Sequence, residues 1–285
     1  RMLTGQQFIR AATLVCACEI IRQESQRAGE AGKPAVASRR KKSSPQKAQL
    51  SGPTYPGRLG DEPITIGLWM GSTHVPIRNA DAKSVLGEMK WNKYAENKFH
   101  VLRCPWCGTE LVPAKRKTGR WGYVADGAHT SFCCPQEECP FHDHLPLQIV
   151  DEELYRQPPT ILIGTIDKFV QVAWKSEVGA FFAGRGPELI IQDELHLIAG
   201  PLGSIAGLYE MGLDEIFRAH GHCPKIIAST ATIRRAALQC AALYDRRVAQ
   251  FPAPGIDAED SYFARADKHR PGRLYVGILP ASMRK

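Results

Sequence analysis

The sequence predicts an α/β fold in which a parallel sheet carries helices on both faces and is interrupted by a small cysteine-rich insertion. Three short apolar runs are each about as long as one buried strand, and they occupy residues 160–165, 188–194 and 225–230. The stretches between them are long enough for crossover helices, as at residues 166–182 and 204–219. Five of the nine cysteines fall between Cys104 and Cys139, which marks the insertion.

The beginning of the chain is predicted to be helical over residues 4–23. Apolar side chains recur there at helical spacing, and Thr4 with Gln7 has the pattern of a capping box. Residues 64–69 form a further strand candidate. Cysteines outside the insertion are predicted to be core or near-core thiols, namely Cys16, Cys18, Cys223 and Cys240.

The net charge of +8 is concentrated in one segment. Residues 25–60 contain eight basic side chains against Glu30, in a stretch rich in Ser, Pro, Gly and Ala. Such a composition predicts a disordered linker. Two interpretations stay open for this linker: a solvated loop, or an auxiliary arm that binds nucleic-acid phosphates.

Each of the three apolar runs ends in polar residues. They are Thr165, Asp193 with Glu194, and Ser229 with Thr230. In parallel sheets ligands bind beyond the carboxyl ends of the strands. We therefore expect these residues to lie at one edge of the sheet and to form a site there.

Asp193, Glu194 and His196 form an acidic motif with the chemistry of nucleotide hydrolysis. Asp193 is predicted to hold the Mg²⁺ that bridges the terminal phosphates of ATP. Glu194 is predicted to orient and deprotonate the attacking water, and His196 to connect the nucleotide state to the neighbouring motif. The competing interpretation is an ordinary polar string at the start of a helix.

Two further motifs complete the predicted site. The small hydroxylic string of Ser229, Thr230, Ala231 and Thr232 is expected to couple hydrolysis to strand movement, although a plain helix N-cap would use the same residues. Around the first strand end, Thr165, Asp167 and Lys168 are expected to bind a nucleic-acid backbone phosphate, with a plain helix cap as the alternative.

The cysteine-rich segment has the pattern of a zinc site. Cys104 and Cys107 form one half-site, separated by two residues and followed by Gly108. We assign Cys134 and Cys139 as the other half of a closed tetrahedral Cys₄ site with a structural role. Three other side chains are reserve ligands, namely Cys133, His142 and His144.

The bulk properties limit the cellular setting. The chain contains no run of eighteen apolar residues, so no membrane span is expected. It opens without the charged start and apolar region of a signal peptide. Clustered cysteines fit metal binding in a reducing compartment better than a disulfide framework. A cytoplasmic location is therefore predicted.

The motif blocks resemble a known family. Residues 158–169, 192–204 and 229–236 are similar to the helicase component of the bacterial DISARM anti-phage system, the DrmA-like family; residues 1–8 and 251–264 also resemble it. The resemblance implies a superfamily 2 motor of the DExH type with two RecA-like lobes, driven by ATP, acting on DNA and assembled with partner proteins of a defence complex.

The resemblance also divides the chain. It implies a RecA-like first lobe in three pieces, with the linker and the zinc module inserted between them, followed by the start of a second lobe. The expected divisions are residues 1–24, the linker at 25–60, residues 61–98, the zinc module at 99–147, residues 148–252 with the acidic and hydroxylic motifs, and residues 253–285.

The sequence departs from the motor pattern in one respect. No G-x-x-x-x-G-K-[ST] phosphate loop occurs in the 285 residues, and the second lobe with its arginine finger is not recognisable. The expectation is therefore a fragment of a motor. The alternative is a zinc-ribbon nucleic-acid-binding protein on a degenerate RecA-like scaffold without ATPase activity.

Overall fold

The structure is a computed structural model. It describes residues 2–31, 60–182, 186–198, 200–230, 236–251, 256, 262, 267 and 269–277. The chain divides into two compact units. The first comprises Arg1–Ile191 and Gly212–Ile227, and the second comprises Gln192–Met211 and Ala228–Lys285. In the described part of the chain, no helix is long and apolar enough to cross a membrane.

The first unit is built on a parallel sheet of three strands. Strand β1 (Ile66–Trp69) lies between β4 (Leu147–Gln148) and β5 (Ile161–Gly164), and all four of its residues are buried. Gly67 is required at the centre of β1, because a Cβ there would lie 2.4 Å from the Leu154 side chain. The strand expected at residues 64–69 is confirmed.

Helix α1 (Met2–Ala31) packs against this sheet through buried Phe8, Ala12 and Val15. It is longer than predicted, since it continues past Ser25 into the expected linker. A buried ion pair stabilises its second half: Arg22 lies 2.6 Å from Glu19 and also donates hydrogen bonds to the backbone carbonyls of Gly60 and Asp61. The remainder of the linker, residues 32–59, lies outside the described residues.

The cysteine-rich segment follows helix α2 (Asn79–Trp91) and contains a small antiparallel hairpin. Strand β2 (Tyr123–Ala125) pairs with β3 (Thr130–Phe132). Tyr123 stacks on Phe99 with ring centroids 4.6 Å apart, and its hydroxyl donates a hydrogen bond to the Val101 carbonyl. This buried aromatic cluster positions the hairpin beside the cysteines.

The segment after β5 differs from the single crossover helix expected at residues 166–182. Helix α3 (Asp151–Arg156) precedes β5, and α4 (Ile166–Phe169) follows it for only four residues. Two 3₁₀ helices then occupy Val170–Ala173 and Ser176–Phe181. Phe169 and Phe181 pack on the buried Trp69 ring, with ring centroids 5.2 and 5.0 Å from it.

The remaining two apolar runs form a second ladder. Strands β6 (Leu189–Gln192) and β7 (Lys225–Ala228) pair with each other. The Lys225 amide donates to the Glu188 carbonyl and the Ser229 amide donates to the Gln192 carbonyl, so residue numbers increase in the same direction along both strands. The pairing is therefore parallel. All three predicted strands exist, but in the described residues β5 belongs to a different sheet from β6 and β7.

A short 3₁₀ helix (Leu195–Leu197) and helices α5 (Gly200–Ala219) and α6 (Ala236–Tyr244) complete the described elements. Helix α5 confirms the crossover expected at residues 204–219. The strand expected near residues 273–278 is not formed over its described part. Residues 271–277 have no regular secondary structure, and the side chains of Leu274, Tyr275 and Val276 are exposed.

Candidate metal centre and candidate nucleotide site

Two tight turns bring the cysteines together. Between Cys104 and Thr109 the backbone turns back on itself, with hydrogen bonds from Gly108 to Cys104 and from Cys104 to Thr109. Gly108 has a φ of 78°, a conformation that favours glycine. After β3, the amide of Cys134 donates to the Phe141 carbonyl and closes a second turn that carries Cys139.

The four predicted ligands form one compact cluster. The Sγ atoms of Cys104, Cys107, Cys134 and Cys139 all lie within 4.8 Å of one another. The Cys104–Cys139 and Cys107–Cys134 Sγ distances are 4.0 and 3.4 Å. Four thiolates at about 2.3 Å from a tetrahedral zinc ion would be about 3.8 Å apart. The geometry therefore fits a metal ion bound by four sulfurs.

The reserve ligands are used elsewhere. The Cys133 thiol is directed at the Trp121 carbonyl at 3.4 Å, and His142 Nδ1 lies 3.0 Å from the Gln136 carbonyl. His144 is also outside the cluster, which is the one metal-binding group found among the described residues. Cys134, and not Cys133, therefore supplies a sulfur to the cluster.

Two thiols at the cluster have pKa values shifted in opposite directions. Burial alone would raise the pKa of Cys107, but hydrogen bonds with Thr109 and Cys134 lower it to about 7. By contrast, burial and the neighbouring Cys104 and Cys139 raise the pKa of Cys16 to about 12. Helix α1 therefore contributes a neutral, buried thiol to the wall of the cluster.

The predicted core cysteines divide into two groups. Cys16 is buried as expected, and Cys18 and Cys240 are half-buried. The expectation for Cys223 was wrong, because this residue is exposed. It lies just before β7, in the short connection that follows α5.

The acidic motif lies directly beyond β6 in the second unit. The ladder with β7 continues past both strands, since the Leu195 amide donates to the Ser229 carbonyl at 3.0 Å. Asp193 and Glu194 are thereby held beside Ser229 and Thr230 at one end of the ladder. The structure thus brings together two of the three predicted strand-end groups.

Glu194 is the centre of this arrangement. Its backbone has φ 53° and ψ 42°, a left-handed conformation that costs a non-glycine residue about 1–2 kcal/mol. Its carboxylate lies 3.3 Å from His196 Nδ1, and the same nitrogen is 3.4 Å from the Thr230 hydroxyl. The Glu194–His196–Thr230 contacts join the acidic motif to the hydroxylic one. Ala231 and Thr232 lie outside the described residues.

Gln192, Glu210 and Tyr244 form a polar network that was not predicted from the sequence. The Tyr244 hydroxyl donates to the Gln192 side chain, which also hydrogen-bonds Glu210. Burial raises the pKa of Glu210, and burial together with Glu210 raises that of Tyr244. A polar Gln192 at the end of an apolar strand was the available signal, but its partners lie on α5 and α6 and are remote in sequence.

The predicted phosphate-binding group is arranged differently from the expectation. Thr165 precedes α4 and makes no side-chain capping hydrogen bond, and Asp167 is exposed. Lys168 is 2% exposed, and its ammonium lies 2.6 Å from the fully buried Asp151 carboxylate. Lys168 therefore anchors α4 within the first unit, and direct contact of its ammonium with a phosphate is not available in this conformation.

These features define a mixed α/β protein with a four-cysteine metal-binding cluster and an acidic motif at the end of a parallel strand pair. The chain is similar to the DISARM protein DrmA of Bacillus paralicheniformis, with 31% identity over 328 aligned residues. This similarity includes 98% of the chain and confirms the predicted DrmA-like resemblance. The chain spans 26% of the length of that relative. It matches no known protein-family model.

Proposed function

We propose that this chain supplies part of the first lobe of an ATP-dependent DNA helicase or translocase that acts in anti-phage defence with partner proteins. The observation that carries the proposal is the joining of Asp193–Glu194 to Ser229–Thr230 at the ends of two parallel strands, through His196. Similarity to a DISARM protein supports the defence setting. A RecA-like fold for this lobe is part of this proposal.

The donor set fits a magnesium–nucleotide complex. Mg²⁺ is commonly held by one or two carboxylates together with phosphate oxygens, and Asp193 is an exposed carboxylate at the strand end. When bound, Mg²⁺ neutralises charge on the terminal phosphates. Glu194 would orient the attacking water and accept its proton, and His196 would transmit a change at Glu194 to Thr230.

The cysteine cluster would serve this lobe as a structural zinc site. Four sulfurs fill the coordination sphere of a tetrahedral ion, so no position stays open for substrate. Zinc would hold the turns at Cys104 and Cys134 together and support the hairpin of β2 and β3. Its role in the proposal is to stabilise the inserted module.

The proposed activity is tested in a protein in which this chain is joined to a phosphate loop. Glu194→Gln should leave ATP binding nearly unchanged and slow hydrolysis by about 100-fold or more, because the base for the attacking water is lost. Asp193→Ala should instead weaken Mg²⁺-dependent nucleotide binding. Turnover and nucleotide affinity would be measured separately.

Glu188→Gln is the matched control, because Glu188 is an exposed carboxylate at the opposite end of β6. It should hydrolyse ATP at the parental rate. Parental turnover by Glu194→Gln would show that this acidic motif does not serve ATP hydrolysis.

A second candidate function is nucleic-acid binding without ATP hydrolysis. Exposed aromatic and basic side chains on the first unit favour it, as at Trp91 and Lys117. If the longer protein binds nucleic acid but neither binds nor hydrolyses ATP, this second function replaces the motor.

A further inference from the structure

Two large aromatic side chains project into solvent at the end of α2. Trp91 is 80% exposed and Tyr94 is 83% exposed. The turn between them is fixed, because the Tyr94 amide donates to the Asn92 side chain at 2.9 Å. Exposed aromatic rings on a fixed backbone are a feature of binding surfaces, where apolar contact area is gained with little loss of side-chain freedom.

The basic loop at residues 115–120 is held against the same end of α2. The Arg116 guanidinium donates to the backbone carbonyls of Met89 at 2.7 Å, Asn92 at 3.1 Å and Lys93 at 3.3 Å. The Met89 carbonyl lies in the last turn of α2, where a helix leaves carbonyls without intrahelical partners. These hydrogen bonds occupy the Arg116 guanidinium. The lysines on either side of it, Lys115 and Lys117, remain exposed.

The loop is also fixed from its other side. The indole N–H of buried Trp121 donates to the Arg116 carbonyl at 2.9 Å. The tight turn requires Gly119, because a Cβ there would lie 2.5 Å from Pro113 and 2.9 Å from the Lys115 carbonyl. The loop is therefore already ordered before a ligand binds.

The arrangement places cations over the exposed rings. Lys117 Nζ lies 5.1 Å from the centre of the Trp91 ring, and Lys93 Nζ lies 4.9 Å from that of Tyr94. Residues 90–120 contain eight basic side chains and two acidic ones. One of the acids, Glu110, already pairs with Arg103 at 3.1 Å. The surface is thus basic as well as aromatic.

We propose that this surface binds single-stranded nucleic acid. It is named here the Trp91–Tyr94 surface and comprises Lys90, Trp91, Lys93, Tyr94, Lys115 and Lys117. Bases would stack on the two rings, and the lysines would neutralise adjacent phosphates. A duplex keeps the faces of its bases stacked within the helix, so the rings favour a single strand. An uncharged apolar partner would leave the lysines without compensation.

The residues of this surface differ from those of the acidic motif, and binding there does not depend on ATP hydrolysis. The surface also differs from the basic linker, whose central part has charge but few aromatic residues. This surface was not predicted from the sequence, because the charge outside residues 25–60 was summed as a whole, and acidic residues elsewhere offset the excess at residues 90–120. A local count together with Trp91 and Tyr94 would have found it.

The test measures binding of labelled oligothymidylate to the metal-loaded chain without nucleotide, over a salt series. Trp91→Ala and Tyr94→Ala should each weaken binding about tenfold, whereas Trp91→Phe should retain most of the affinity because phenylalanine still stacks. Lys93→Ala and Lys117→Ala should each reduce the salt slope by about 0.7. Single-stranded RNA and duplex DNA of matched sequence form the comparison arms.

Arg103→Ala is the matched control, since it removes one charge from the same module where that charge is already paired with Glu110. It should leave the salt slope unchanged, and Glu194→Gln should leave oligonucleotide affinity unchanged. Parental affinity in both Trp91→Ala and Tyr94→Ala, or a preference for duplex, would overturn the proposal. Neither result would bear on ATP hydrolysis by the acidic motif.

Discussion

At the scale of single residues, the Lys168–Asp151 ion pair determines how α4 is held. Asp151 is fully buried, and it also accepts a hydrogen bond from the Tyr155 hydroxyl at 3.2 Å. Burial lowers the pKa of Lys168, and the hydrogen bond to Asp151 offsets part of that effect. The pair thus keeps a cation in a place where an isolated charge would be strongly unfavourable.

Lys168→Met is expected to lower the free energy of unfolding by about 3–5 kcal/mol, because Asp151 would be left as an uncompensated buried charge. The double variant with Asp151→Asn should recover a large part of this loss. Denaturant unfolding would provide the measurement. Lys175→Met is the control, since Lys175 is more exposed and lies 3.9 Å from Asp151, so its loss should be small. Equal stability of Lys168→Met and the parent would contradict the anchoring role.

This residue also shows a limit of sequence reasoning. The motif around Thr165 suggested that Lys168 faces a phosphate, because the N-terminus of a helix binds backbone phosphates. Its partner lies 17 residues upstream on α3, and no local pattern connects the two. Asp193 and Glu194 could be located from the sequence, because the position of a residue directly after a strand determines where its backbone lies. The position of the Lys168 backbone does not determine where its long side chain points.

At the scale of elements, the cysteine module was the most predictable part. Two half-sites with short internal spacing can converge on one ion through local turns alone, and the choice of Cys104, Cys107, Cys134 and Cys139 agrees with the cluster. The segment after β5 was less predictable. A helix and two 3₁₀ helices replaced one crossover helix because Phe169 and Phe181 both pack on Trp69, a tertiary contact that the local sequence does not encode.

The metal prediction belongs to this module. Metal analysis should find about one Zn²⁺ per chain, and Cys104→Ser with Cys107→Ser should release it. Hydrogen exchange should then increase across residues 99–147, because structural zinc binding is coupled to folding. Cys223→Ser serves as the control, since this exposed cysteine lies outside the cluster. Freshly purified protein without metal and with all four cysteines freely reactive would refute the zinc site.

At the scale of the whole molecule, the chain consists of two compact units with different candidate sites. The metal cluster and the Trp91–Tyr94 surface belong to the first unit, and the acidic motif with its network of Gln192, Glu210 and Tyr244 belongs to the second. The sequence predicted one sheet edge for all three strand-end motifs. Strand order depends on long-range pairing, so sequence could locate the strands but could not establish that β1 would pair with β5.

The final prediction concerns nucleotide binding by the 285-residue chain itself. In phosphate-loop motors, backbone amides and a lysine of that loop hold the β- and γ-phosphates, and a loop hydroxyl shares the metal with the acidic residue. Of these groups the chain offers Asp193, which is exposed, and it contains no phosphate-loop sequence. We therefore expect ATP to bind more weakly than about 1 mM, with no turnover.

Equilibrium binding of labelled ATP with Mg²⁺, together with phosphate release, tests this expectation. Asp193→Ala should change neither quantity, because one exposed carboxylate contributes little without the phosphate-binding amides. The same chain should still bind oligonucleotides through the Trp91–Tyr94 surface, which shows that it is folded. ATP turnover stimulated by nucleic acid and abolished by Glu194→Gln would contradict the prediction. It would mean that other residues of this chain hold the phosphates, and the search for them would begin beside Glu194 and Thr230.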